Sequence, residues 1–160
     1  MSIDSSEFRR ALGCFPTGVA VVTTANEHGV QAGITISSFS SVSLDPPLVL
    51  WSIARDAVSY EQYMNARYFA VHVLSARDKH ISDRFSQRGG DKFRGLDCRP
   101  GIGNVPILPE FSACFECETE HRYDGGDHKI IVGRVLRLEV HDKAPLIFHR
   151  GQFLENGDKT

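Results

Sequence analysis

Apolar and polar positions recur along this chain with spacings that divide it into short elements. Near the start, Asp4 and Glu7 stand three residues apart, the spacing of a capping box, and Ile3 with Phe8 fits a hydrophobic staple. A helix is predicted there, stopped by Gly13. GVAVVTTA (18–25) and VQAGITI (30–36) flank NEHG (26–29) and read as a β-hairpin turned by Asn26 and Gly29. LVLWSIA (48–54) is a continuous apolar run, the pattern of a strand buried on both faces. Ser59 with Gln62 forms a second capping box, opening a short helix with Tyr60, Tyr63 and Met64 behind it. YFAVHVL (68–74) is strand-like, and Ser75 with Asp78 caps a predicted helix through ARDKHISDRFSQ, where Ile81 and Phe85 share a face.

Five glycines and three prolines between Gly89 and Pro109 predict an extended loop. Further strands are predicted over 111–121, over 129–141 past the turn DGGD (124–127), and near LIFHR (146–150). Six or seven strands, two or three short helices and no long β-helix-β alternation indicate a mainly β, antiparallel, closed or half-closed barrel. No internal repeat interrupts the pattern, so residues 1–160 are expected to form a single domain.

Composition narrows the function classes. Hydrophobic residues make up 41% of the 160, charged residues 24%, and the net charge of −2 gives no reason to expect nucleic acid or an anionic membrane as partner. No apolar run approaches the roughly eighteen residues of a membrane span, and MSIDSSEFRR lacks the apolar core of a secretory signal. A cytoplasmic protein is expected. Four cysteines are too few for a disulfide-stapled module. Cys114 and Cys117 spell C-x-x-C, but the period of two around them predicts a strand whose thiols point to opposite sides. A redox pair is therefore not expected, and without a second such motif neither is a structural zinc.

Catalytic signatures are scarce. Gly101-Ile-Gly103-Asn lacks the third glycine and the preceding strand of a dinucleotide fingerprint. No P-loop, H-E-x-x-H or G-x-S-x-G occurs, and seven histidines are scattered without ligand spacing. The anomaly is residues 33–43, GITISSFSSVS, where five serines and a threonine fall within eleven positions before Asp45-Pro46-Pro47. Serines favour loops because they bond nearby backbone, which is one reading. In the other, hydroxyls and free peptide N–H groups wrap a polar ligand without introducing charge, and the prolines fix the return of the chain.

The words themselves resemble the flavin reductase-like family, whose members bind FMN in a split β-barrel. The resemblance runs through FRRALGCFPTGVAVVTT (8–24), GITISSFSSVSLDPPLVL (33–50), FAVHVLSA (69–76), GDH (126–128), IIVGRV (130–135) and PLIFHRGQF (145–153). It implies a Greek-key split barrel, FMN or FAD as flavin, NADH or NADPH as reductant, a homodimer, and a partner monooxygenase that receives reduced flavin. It places Pro16 and Thr17 beside the flavin, Thr35, Ile36, Ser37 and Ser38 along its ring and ribityl chain, and Ser52, Ile53, Ala54 and Ser59 in a second cofactor segment. Many relatives carry asparagine where this chain has the shorter Ser37. Ser59 would hold the phosphate, and Phe85 with Ser86-Gln87-Arg88 matches a region near phosphate and ring. His128 and Phe153 are the candidates for the nicotinamide, and His128 is the best candidate for a role in catalysis. The alternatives left by the residues are a non-catalytic FMN-binding electron carrier, a same-barrel oxidase acting on a small substrate such as a pyridoxine phosphate or a corrin, and a barrel whose serines are only surface.

Overall fold

The computed structural model describes residues 1–154; the last six residues of the predicted 1–160 domain lie outside the described residues. Three helices, α1 (Ser5–Leu12), α2 (Tyr60–Asn65) and α3 (Lys79–Phe85), surround strands that pair antiparallel throughout. The strands are β1 (Thr17–Gly18), β2 (Ala20–Ala25), β3 (Gln31–Ile36), β4 (Ser40–Ser43), β5 (Leu48–Ala54), β6 (Tyr68–Val73), β7 (Arg99–Pro100), β8 (Pro106–Ile107), β9 (Ala113–Gly125), β10 (His128–Val140), β11 (Ile147–His149) and β12 (Gln152–Leu154). Seven of them form one sheet in the order β3-β2-β6-β9-β10-β5-β4. Its two edge strands, β3 and β4, are consecutive in the chain and joined by Ser37, Ser38 and Phe39. Four residue steps span at most about 14 Å, so the edges are forced toward each other and the sheet curls into a barrel with a seam at 37–39. That seam is the split.

The hairpin of β2 and β3 forms as predicted: Asn26 Oδ1 accepts from the His28 and Val30 N–H groups at 3.0 and 2.9 Å, and Gly29 supplies φ +77°. At α1, Asp4 accepts from the backbone N–H groups of Ser6 and Glu7, each at 3.0 Å. Gly13 closes that helix in the right-handed region, not the left-handed one that favours glycine. Ile3 and Phe8 are both exposed, so they cover no core.

Several expectations are corrected. In β5 only Val49, Trp51 and Ile53 are fully buried, while Leu48, Leu50, Ser52 and Ala54 on the opposite face are partly open. A continuous apolar run thus covers one core face and one accessible face. Ser40–Ser43, read as loop, forms the edge strand β4, and Gln152–Leu154 adds a short strand beside β11. The Ser59–Gln62 capping box does not form: Ser59 makes no side-chain cap, and Gln62 Nε2 donates to Val30 O at 2.6 Å. Ser75 and Asp78 do pair, Ser75 N and Oγ both donating to Asp78 Oδ2, but the helix begins only at Lys79.

The core is divided by the sheet. Trp51, Tyr63 and Phe69 pack edge to face within one cluster, with centroids 5.0 and 6.0 Å apart. Phe85 joins Val19, Val21, Leu74 and Leu146 in a second, and Cys114 joins Val105, Ile107 and Phe111 in a third. Cys117 belongs to the first cluster, so the two thiols of C-x-x-C lie on opposite faces, as the period of two predicts. Burial pushes both thiols up to about 12. Glu116, on the face of β9 that carries Cys114, is also buried and accepts from Ile102 N at 2.7 Å beneath the 99–108 segment. No helix among the described residues is long and apolar enough to cross a membrane.

Candidate functional site

Two clefts open on either side of the chain where β3 runs into the seam. The first, of about 510 Å³, is lined by Pro16, Thr17, Ile36, Ser37, Ser38 and Phe39, together with neighbours from 15–20, Ser40 and Val73. The second, of about 260 Å³, is lined by Thr35, Ala54, Ser59, Phe85, Arg88 and Lys92, with Ile34, 56–58 and 86–87 completing it. Nine of the thirteen residues singled out from sequence therefore meet at one stretch of barrel wall.

Their side chains are not equally available. Thr17 Oγ1 is buried at the first cleft without a hydrogen-bond partner among the described residues. A buried hydroxyl left unpaired costs roughly 1–3 kcal/mol, so it fits a site completed by a ligand. Ser37 is exposed beside it. Ser38 is committed instead to the seam, accepting from Ser52 N at 2.9 Å and bonding Ser52 O at 3.2 Å. Thr35 Oγ1 donates to Ser82 O at 2.7 Å, which leaves its methyl and peptide for the cleft.

Ile53 is 1% exposed and Phe85 is fully buried, so neither side chain reaches a ligand as placed; Ile53 stands in the β5–β10 ladder opposite Lys129, and Phe85 supports the wall from behind. A Cβ at Gly33 would overlap the Phe85 ring, which shows how closely that strand rests on α3. Ser52 is held at the seam by Ser38.

The charges gather at the second cleft. Ser59, free of any capping bond, faces Arg88, which donates to Asp56 O at 3.1 Å, and Lys92. Lys92 Nζ donates to Phe85 O and Gly33 O at 3.2 and 3.3 Å, and partial burial lowers its pKa by disfavouring the cation. Sequence reading missed Lys92 because it stands in the glycine-rich stretch GGDK; only folding brings that stretch over Ser59. The first cleft is lined by no charged residue, whereas the second holds two cations and one carboxylate, Asp56. A flat heterocycle in the first and an anionic tail in the second match that division.

His128 and Phe153 lie apart from the clefts' linings. His128 opens β10 directly opposite Ala54 of β5, and its Nδ1 stands 2.7 Å from Asp127 Oδ1. That contact holds the Asp127 carboxyl below its usual range. Phe153 pairs with Phe148, itself in register with Thr17, so the three-stranded sheet β1-β11-β12 ties it to the first cleft. Its ring packs on Phe148 at 5.3 Å, with Lys79 Nζ 5.3 Å from its centroid.

Residues 12–157 match the family described as flavin reductase like domain. The FMN reductase (NADH) SmoA of Agrobacterium fabrum is 47% identical over 150 residues, covering 94% of this chain and 85% of that protein. The reductase subunit HsaB of a flavin-dependent monooxygenase from Rhodococcus jostii is 39% identical over 153 residues, covering 95% of this chain and 78% of that subunit. Among solved structures, the Streptomyces globisporus NADH:FAD oxidoreductase SgcE6 in complex with NAD and FAD fragments superposes with a TM-score of 0.91 at 34% identity, covering 98% of this chain and 95% of that one.

Proposed function

The chain belongs to the flavin reductase-like family, and on that premise we propose that it is an NAD(P)H:flavin oxidoreductase supplying reduced FMN or FAD to a partner monooxygenase. The observation that carries this reading is the paired clefts, one uncharged with an unpartnered Thr17 hydroxyl, the other bearing Ser59, Arg88 and Lys92. When bound, the flavin supplies the redox chemistry, taking a hydride from the reduced nicotinamide. The protein's task is positioning, which explains why no nucleophile or base motif is present.

Thr17 and Ser37 would bond the ring, with Ser38 and Ser52 bonded to each other at the seam beside it and Ala54 lining the second cleft. Ser59, Arg88 and Lys92 would hold the phosphate, Ser59 through the hydroxyl it does not spend on capping. His128, on the strand beside Ala54, and Phe153, on the sheet beside Thr17, orient the nicotinamide. Hydroxyls and peptide groups at the ring, without a fixed charge, suit a ligand that is held and then released.

We also assign the active form to a homodimer. Leu136, Leu138 and Val140 along β10 are 45%, 61% and 68% exposed, and α1 buries none of its residues, so apolar surface is left for a second copy. A cytoplasmic site of action is supported by four free cysteines.

The test is steady-state oxidation of NADH and NADPH by purified protein with FMN, FAD or riboflavin, followed at the nicotinamide absorbance band. Flavin-dependent loss of that absorbance is expected. Its absence overturns the reductase reading, and flavin retained through gel filtration without turnover would indicate an electron carrier.

A further inference from the structure

A third cleft, of about 770 Å³, lies between the second half of α1 and the turn joining β11 to β12. Arg9, Arg10 and Arg150 line it, with Glu7 as its only carboxylate and Gly13, Cys14 and Gly151 in its floor. Among the other arginines, Arg84, Arg88 and Arg122 bond main-chain carbonyls, and Arg55, Arg67, Arg99, Arg134 and Arg137 each meet a carboxylate within 3.3 Å. The three in this cleft meet none among the described residues. Arg9 and Arg10 complement the dipole at the end of α1, but that leaves Arg150 unexplained, since it comes from a separate element. Arg150 is held at φ +50°, a conformation L residues rarely adopt, and its N–H donates to Gly13 O at 3.0 Å. The turn is thereby fixed against the helix end, and guanidinium groups from two elements face one space.

We propose that this cleft binds the phosphate groups of the nicotinamide dinucleotide. The inference rests on the reductase reading and extends it to a site for the reductant's non-reacting end. Gly13 and Cys14 lead directly through Phe15 to Pro16 and Thr17 at the uncharged cleft, at most about 14 Å away along the chain. Arg150 stands three residues before Phe153 on the same hairpin. A nicotinamide near Thr17 and Phe153 thus has its phosphates within reach of the arginines. The flavin's own phosphate belongs at the opposite end, beside Ser59 and Arg88, so it does not compete for them. Planar guanidinium forks suit the paired oxygens of a pyrophosphate or a ribose 2′-phosphate.

The experiment replaces Arg9, Arg10 and Arg150 by Gln, singly and together, and measures KM for NADH, NADPH and flavin, with calorimetric binding of ADP-ribose as a probe lacking nicotinamide. In the triple variant, KM for the dinucleotide should rise about tenfold or more and ADP-ribose binding should be lost, while kcat and the flavin KM stay within about twofold. Equal loss for NADH and NADPH together with loss of ADP-ribose binding assigns the pyrophosphate; loss for NADPH alone, with ADP-ribose binding kept, assigns the 2′-phosphate, which ADP-ribose lacks. Dinucleotide KM values unchanged in the triple variant, or no ADP-ribose binding by the unaltered protein, would overturn the proposal. If the unaltered protein binds ADP-ribose through these arginines but oxidises neither nicotinamide, the cleft assignment stands and the reductase reading falls. Unchanged thermal denaturation of the variants excludes misfolding as the cause.

Discussion

The Ser38 hydroxyl is bonded to both peptide groups of Ser52, 2.9 Å from its N and 3.2 Å from its O, across the seam where the barrel's two edges meet. The pair does what a missing ladder rung would otherwise do, beside the uncharged cleft that Ser38 lines. The hydroxyls of the serine-rich stretch therefore divide in purpose: Ser38 closes the wall, and Ser37 one residue earlier is exposed at the cleft.

Ser38→Ala should destabilise the protein by about 1–3 kcal/mol, because it strands the Ser52 N–H, and should weaken flavin binding as a consequence. Ser37→Ala should change stability by less than about 0.5 kcal/mol while still weakening flavin binding. Urea denaturation alongside flavin titration separates the two; equal loss of stability in both variants would contradict the division.

Arg88→Ala and Lys92→Ala should each weaken FMN binding about tenfold and leave riboflavin binding unchanged, because only FMN carries the phosphate. Ser59→Ala should act in the same direction with a smaller effect. Parallel losses for FMN and riboflavin would remove the phosphate from this cleft.

His128→Ala should raise the KM for the nicotinamide far more than that for flavin. Asp127→Asn should produce a weaker version of the same change, since Asp127 Oδ1 stands 2.7 Å from the His128 ring. Equal effects on both substrates would remove the orienting role.

Stability should fall on acidification because of His72, which is fully buried between Val21 O, 3.1 Å from Nδ1, and Leu108 N, which donates to Nε2 at 3.2 Å. Burial lowers its pKa from 6.5 to about 4. Unfolded chains then bind the proton more readily than folded ones between those values. The neutral ring's contribution is complete above pH 6.5 and declines as pH falls toward about 4, by about 3 kcal/mol in total. The pH dependence of urea midpoints measures it, and His72→Gln should flatten that slope between pH 4 and 6.5 whatever its own cost.

Gly33→Ala should destabilise by about 1–3 kcal/mol, because its Cβ would overlap the buried Phe85 ring and press on Phe93. Thermal denaturation reads the loss. Phe85→Leu combined with Gly33→Ala should recover part of it by opening space.

The sequence by itself determined the β-rich class, the hairpin at 26–29, the opposed thiols of Cys114 and Cys117, and the segments that meet at the clefts, because alternation, turn chemistry and family wording are local properties of neighbouring residues. What only the tertiary structure decided is which groups remain free. It commits Ser38 to Ser52 and Thr35 to Ser82, withdraws Ile53 and Phe85 into the core, and releases Ser59 from its expected cap. It also brings Lys92 over Ser59, and Arg150 to Arg9 and Arg10. Those outcomes depend on contacts between residues tens of positions apart, fixed when a seven-stranded sheet is made to close by a three-residue link between its edges.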